Sequence, residues 1–335
     1  MKRLFLKTLI ATVALAAAGL AGAQDVKERT LKLATQNPKG HPTVTGMEKF
    51  ADLVKAKSGG KIKVNLFPGG VLGGDQANVS ALQGGTLEMV VMNSGILASQ
   101  VKEFAVFDFP FQFANSKEAD AVVDGPFGKA MHDKLGDKGL VGLAYWELGF
   151  RDLTNGKRAI HKVEDIAGLK LRVIPNPINL DWVKALDANP VPMAFPEVYA
   201  ALESRALDGQ ENPVTVILAN KFGEVQKHLT LTHHQYNPQS VLISKKVWDS
   251  FSPAEKKIIA DAAREATPAQ RQAAREATNT ALDQLKKAGM QVTELPAPEM
   301  TKLRDKLRPV IAKYSVAVGQ ETLQAFQAEI AKARK

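Results

Sequence analysis

Apolar and polar residues alternate through RTLKLA, residues 29–34, the period of a half-buried strand that ends at the turn-rich TQNPKGHP. Helical spacing takes over in VTGMEKFADLVKAKSGG, where Met47, Phe50, Leu53 and Val54 share a face and Gly59-Gly60 close the helix. KIKVNLF returns to a period of two, with Ile62, Val64 and Leu66 on one side. A glycine-rich turn, PGGVLGGDQ, leads to a helix over residues 77–83 and a third strand, LEMVVMN. This β-α-β-α-β rhythm predicts a parallel sheet with helices on its faces.

The pattern restarts after a boundary near Gly149. GFRDLTN and LKLRVI read as strands, NLDWVKALDA as a helix, and PEVYAALESRA as a helix with Pro196 near its first turn. VLISKKVWDSFSPAEKK then returns to strand and helix, so two α/β lobes share the chain more than once. Residues 252–289 read as one long helix with Ser252 as N-cap, Pro253 at its first position and Gly289 as its stop. Pro268 lies inside it and is expected to kink or break it, at about 3 kcal/mol. Residues 297–335 read as two further amphipathic helices.

The N-terminus changes the setting. Lys2 and Arg3 precede a mostly apolar run from Leu4 to Leu20, and Ala21-Gly22-Ala23 supplies a small-residue cleavage site. An export signal cut after Ala23 is expected, and Lys7 argues against a transmembrane anchor. No later segment reaches transmembrane length, so a soluble protein outside the cytoplasmic membrane is expected. The formal charge is +9, and losing Lys2, Arg3 and Lys7 with the signal leaves +6, spread along the chain. Aromatics are 6% of residues and are not interleaved with basic runs, so nucleic-acid binding has no support. A mildly positive field permits a small anionic ligand.

Catalytic chemistry is hard to find. The absence of cysteine removes thiol nucleophiles, Cys-ligated zinc and iron–sulfur clusters. His41, His132, His161, His228, His233 and His234 form no HExxH motif, and His233-His234 as strand neighbours point to opposite faces. No G-x-S-x-G elbow exists, and GGVLGG lacks the Gly-Lys-Ser/Thr of a phosphate loop. No metal site and no cofactor is expected.

Four stretches hold polar residues where strands end, the position at which parallel α/β sheets bind ligands. They are GFRDLTN with Arg151, LKLRVIPNPIN with Arg172, residues 189–213 (NPVPMAFPEVYAALESRALDGQENP), and the pair ATQNPKGHP and MVVMNSG. Each also has an ordinary reading: an arginine in a structural ion pair, Asn212 capping a turn before Pro213, Phe195 as a core anchor. A guanidinium is almost never buried unpaired, so Arg172 within an apolar strand poses the question of its partner.

LKLRV…ANPVPMAFPEVYAALE…LDGQENP…KFGEVQKHLTLT resembles the signature region of the DctP-type solute-binding proteins of TRAP transporters, the tripartite ATP-independent periplasmic carriers. HPTVTGMEKFADLVKAKSGGKIKVNLFPGGVLGGDQANVSALQGGTLEMVVMNSG resembles that family as well, so the resemblance covers essentially the whole mature chain. It implies an α/β, two-lobed periplasmic binding protein fold with hinge strands and a long helix spanning both lobes. The lobes implied are residues 24–148 plus about 238–276 for lobe I, and 149–237 plus about 277–335 for lobe II. It also implies that Arg172 makes a bidentate salt bridge to a ligand carboxylate and that Arg151 adds a second contact. Asn212 is implied to hydrogen-bond the ligand, and Phe195 to pack on it. Gln36, Asn93 and His41 are the lobe I candidates, with Asn93 standing where relatives can carry Glu.

The function so implied is a periplasmic receptor, not an enzyme, expected to be monomeric, that closes on a small organic acid and delivers it to a membrane permease. A sugar acid such as an aldonate or uronate is favoured, because Asn93, Gln36, Asn176, Asn179, Asn212 and His41 offer hydroxyl partners. A C4-dicarboxylate or 2-oxo acid is the alternative within the family, and Arg151 could take a second carboxylate. Outside it stand an exported enzyme acting on an anionic substrate and a receptor that reports to a sensor kinase.

Overall fold

The computed structural model describes residues 26–335. The expected signal and its cleavage after Ala23 lie outside the described residues.

Among the described residues, nine strands form one mixed sheet. β1 (Arg29–Thr35), β2 (Ile62–Phe67) and β3 (Met89–Asn93) run parallel in the order β2-β1-β3. β4 (Leu140–Asn155), β5 (Lys170–Val173), β6 (Asn189–Pro192), β7 (Gly209–Asn212), β8 (His228–Ser244) and β9 (Gln291–Glu294) complete it. β8 pairs antiparallel with β3 and β4, and β7 antiparallel with β4, while β5 lies parallel between β7 and β6. The sheet is therefore not purely parallel. Two long antiparallel strands, β4 and β8, pass from one parallel set to the other.

Those two strands are longer than the sequence pattern suggests. GFRDLTN is the second half of β4, and LTHHQYNP joins VLIS within β8, although Pro238 lies inside it. Pro238 pairs with Glu147 and has no N–H to give it. The Gln270 side-chain amide serves Glu147 instead: Nε2 donates to Glu147 O at 2.8 Å, and Oε1 accepts from Glu147 N at 2.8 Å. The register shifts here, between Glu147 and Gly149, with Gly149 at φ 120°. A side chain thus completes a ladder that a proline interrupts.

Both faces of the sheet are buried, which explains the nearly unbroken apolar run in β3. Met89 and Val91 pack with Leu31 and Leu33 on one face, while Val90 and Met92 pack with Phe104 and Phe107 on the other. The first face is covered by the helix Pro42–Lys57 and by the long helix Pro253–Lys287. Ser252 caps the long helix in a reciprocal box with Glu255, and Gly289 follows its end in a left-handed conformation. Pro268 does not interrupt the helix. Its position faces solvent, where water can serve the carbonyl that a proline leaves without a donor. The helix packs on residues 42–57 near its start, and Ala281 and Leu285 pack with Ile217 and Phe222 near its end.

Gly46 lets the two helices approach. A Cβ there would stand 2.6 Å from Gln270 Cγ and 2.9 Å from Trp146 Cζ3. Gly46→Ala is expected to cost about 1–3 kcal/mol through overpacking, read as a lower midpoint in a urea titration.

The C-terminal helices, Ala297–Val318 and Gln320–Ala333, flank Gly319. Phe326 on the last one packs edge-on against Phe113 at 5.6 Å and tilted against Phe127 at 5.3 Å. This helix therefore lies against segments that the expected division gave to lobe I, although its own residues were given to lobe II. Its buried face, Phe326 and Ile330, follows the nearest large apolar surface rather than the strands that precede it.

Candidate functional site

A cavity of about 330 Å³ opens at the carboxyl ends of β1, β3, β5 and β7. The first parallel set contributes Gln36, Asp75 and Asn93, the second Arg172, Phe195 and Asn212, and the long strands Arg151 and Gln239. The two sides also touch over the cavity. Gln76 Nε2 donates to Pro175 O at 3.3 Å, and a Cβ on Gly70 would lie 2.8 Å from Pro196 Cγ. The glycines of GGVLGG thus allow a close approach between halves.

Arg172 is 3% exposed, and among the described residues it has no ion-pair partner. Nε and Nη2 both donate to Met193 O, at 3.0 and 2.9 Å, and Phe195 lies under the guanidinium at 5.5 Å. These contacts use the side edge of the group and fix its plane. The end edge, with one N–H from each terminal nitrogen, keeps the parallel geometry that a carboxylate accepts. Burial lowers its pKa to about 10 against the pull of Glu211, so it stays charged at neutral pH.

Arg151 differs. Its Nε and Nη2 grip the Glu211 carboxylate, Nη2 also reaches Glu211 O at 2.5 Å, and Nη1 donates to Asn237 Oδ1 at 2.9 Å. Four of five N–H groups are committed, and the charge is neutralised internally. Burial alone would raise the Glu211 carboxyl, but Arg151 and His234 overcome it and hold it at about 2. Arg151 thus lines the cavity with its charge already paired to Glu211 and a single N–H uncommitted.

Asn212 ends β7 and donates to Gln210 Oε1 at 2.6 Å, so it belongs to a strand and not to a turn. Asn93 ends β3, where Oδ1 caps the following turn at Gly95 N and Nδ2 donates to Asn237 Oδ1 at 3.0 Å. Gln36 and Phe195 line the cavity as well. His41 does not. It caps the helix Pro42–Lys57 through Nδ1, and burial lowers its pKa to about 3. Asn176 and Asn179 are also turned elsewhere: both donate to Asp108 Oδ2, at 2.8 and 3.0 Å, beneath the site.

Glu211, Asn237, Gln239 and Asp75 were not singled out from sequence. Asp75 could have been, as the first acid after the glycine turn and the first residue of a helix. Among the described residues no group of three or more His, Cys, Asp or Glu is placed to hold a metal ion, and no helix is long and apolar enough to cross a membrane.

Residues 33–316 match the model of the bacterial extracellular solute-binding proteins, family 7, also called DctP. The chain belongs to this family. Members are solute-binding receptors of TRAP transporters rather than enzymes, which removes the exported-enzyme alternative. The 2,3-diketo-L-gulonate-binding periplasmic protein YiaO of Escherichia coli is 37% identical, over 84% of this chain and 86% of that one. A TRAP periplasmic solute-binding protein from Ochrobactrum anthropi, crystallised with its C-terminus in the ligand pocket, is 55% identical. It covers 92% of this chain and 97% of its own, with a TM-score of 0.81. The sugar acid binding protein of Advenella mimigardefordensis, solved with galactonate, is 41% identical with a TM-score of 0.91, covering 92% and 100%. The family fold is thus two-lobed, with β4 and β8 between the lobes and the long helix spanning them.

Proposed function

We propose that this receptor captures a monocarboxylic sugar acid, an aldonate or uronate, in the periplasm and delivers it to a membrane permease. The observation that carries the reading is Arg172: a buried guanidinium, held flat by Met193 O, with no carboxylate among the described residues bound to it. An external carboxylate fits that end edge with two parallel charge-assisted bonds. Amides of Gln36, Asn93, Asn212 and Gln239 around the same cavity suit hydroxyl groups. The galactonate bound by the Advenella relative is an aldonate, and the diketogulonate named for YiaO, although a 2-oxo acid, is likewise a monocarboxylic sugar acid.

Lobe I carries β1–β3 and lobe II β5–β7, with the hinge where β4 and β8 shift register near Gly149 and Pro238. In an open form water solvates Arg172; closure around an acid replaces that water with a carboxylate. The acid thereby shifts an open–closed equilibrium that a permease can read.

A thermal-shift screen with aldonates, uronates, C4-dicarboxylates and 2-oxo acids tests this. An acid at 100 times its dissociation constant adds about 2.7 kcal/mol of stability. A sugar acid is expected to raise the melting temperature by roughly 5–10 °C. A response confined to dicarboxylates, or to 2-oxo acids that carry no sugar hydroxyls, contradicts the proposed ligand class, and silence from every acid contradicts the receptor reading.

A further inference from the structure

Resting on that reading, we propose that Asp75 makes the site selective for a single carboxylate, binding ligand hydroxyls and rejecting a second negative charge. Asp75 opens the helix Asp75–Gly84 at the cavity wall, 6% exposed, and its Oδ1 is buried without a hydrogen-bond partner. An unpartnered buried acceptor is costly unless a ligand serves it, and a hydroxyl can donate to it where a carboxylate cannot.

The surrounding charges leave no other place for a second carboxylate. Arg172 on β5 takes the first. Arg151 on β4 is already neutralised by Glu211 on β7, and Glu197 at the cavity mouth adds a further negative charge. A dicarboxylate lodged on Arg172 therefore turns its far end toward Asp75 or Glu197, with no unpaired cation to receive it among the cavity-lining residues, since Arg151 is held by Glu211.

Burial raises the Asp75 carboxyl to about 7, against the opposing pull of Arg172, the Asn93 backbone N–H and the Gln36 side chain. The exclusion therefore strengthens with pH. Above about 7 Asp75 is charged and repels a second carboxylate; below it, the protonated carboxyl can donate to one. The facing groups are Arg172, the Arg151–Glu211 pair with His234 behind it, and Glu197.

Galactonate and galactarate make a matched probe, since they share a skeleton and differ only in whether the far carbon is an alcohol or a carboxylate. Calorimetric titration of the wild type at pH 8 is expected to favour galactonate by at least roughly a hundredfold. In Asp75→Asn, which keeps the shape, the preference is expected to fall to tenfold or less. Between pH 6 and pH 8 the wild-type preference is expected to rise, and that of Asp75→Asn to stay flat. A melting temperature for each protein confirms that both are folded. Equal affinities in the wild type, or an unchanged ratio in the variant, overturn the role of Asp75 and leave the receptor reading standing. Failure of the wild type to bind either probe or any acid of the screen overturns both. If another aldonate binds best, it and the aldarate of its skeleton replace the pair.

Discussion

Arg172→Ala is expected to weaken acid binding by roughly thirtyfold to several thousandfold, because truncating one side of a buried charged pair costs about 2–5 kcal/mol. The fold should not suffer. Arg172 has no ion-pair partner among the described residues, so its removal strands no internal charge and breaks only its bonds to Met193 O. The melting temperature of the variant without ligand is expected to match or exceed that of the parent. Arg172→Lys separates charge from shape: a lysine keeps the cation but cannot offer two parallel donors in one plane. It should bind more weakly than the parent and more tightly than the alanine variant. Calorimetric titration with the acid found in the screen checks all three proteins. Binding by Arg172→Ala within a factor of a few of the parent contradicts the carboxylate assignment.

Glu211→Ala is the opposite case, a large loss of stability. It leaves the Arg151 guanidinium, 1% exposed, without its carboxylate. Breaking a buried pair from one side costs about 3–5 kcal/mol, a fall in melting temperature on the order of 10 °C. The pH dependence gives an independent sign. Glu211 titrates at about 2 in the fold against an ordinary 4.5. Its depressed value means that stability is fully present above about 4.5 and is lost as the pH falls toward 2. The span corresponds to on the order of 3 kcal/mol, in line with the mutational expectation. Glu211→Ala should therefore lose most of its deficit relative to the parent at low pH. Denaturant titrations of both proteins at pH 7 and pH 3 measure this, and equal stabilities at pH 7 would show that the pair contributes nothing.

Two arginines of similar sequence context thus have different roles. Each follows an apolar residue, and the Asp152 beside Arg151 is not its partner but accepts from the Thr232 and His233 backbone N–H groups. The distinction is tertiary: Glu211 is 60 positions from Arg151 and arrives by strand pairing, while Met193 O fixes Arg172. The sequence pattern puts both at strand ends, whereas Arg151 lies inside the long β4 and only Arg172 stands near the end of its strand. Nothing local says which guanidinium is already neutralised.

Other elements divide the same way. The helices over 42–57 and 253–287 were legible because their apolar period, caps and stops are local features. The length of β8 was not, since Pro238 reads as a break and the amide that compensates it comes from Gln270 on a distant helix. His41 looked available in a polar turn, yet its ring serves the adjacent helix terminus. Asn176 and Asn179 looked like ligand groups and instead serve the buried Asp108. Asp75 went unnoticed because a glycine-rich turn before a helix has an ordinary explanation, and only the fold shows its carboxyl at the cavity.

The central claim is that Arg172 recognises a carboxylate brought from outside. Calorimetric titration of the wild type with an acid and its uncharged polyol, galactonate beside galactitol, tests it most directly. The account predicts that the acid binds at least roughly a hundredfold more tightly. A polyol that binds within a factor of a few of the acid would contradict it.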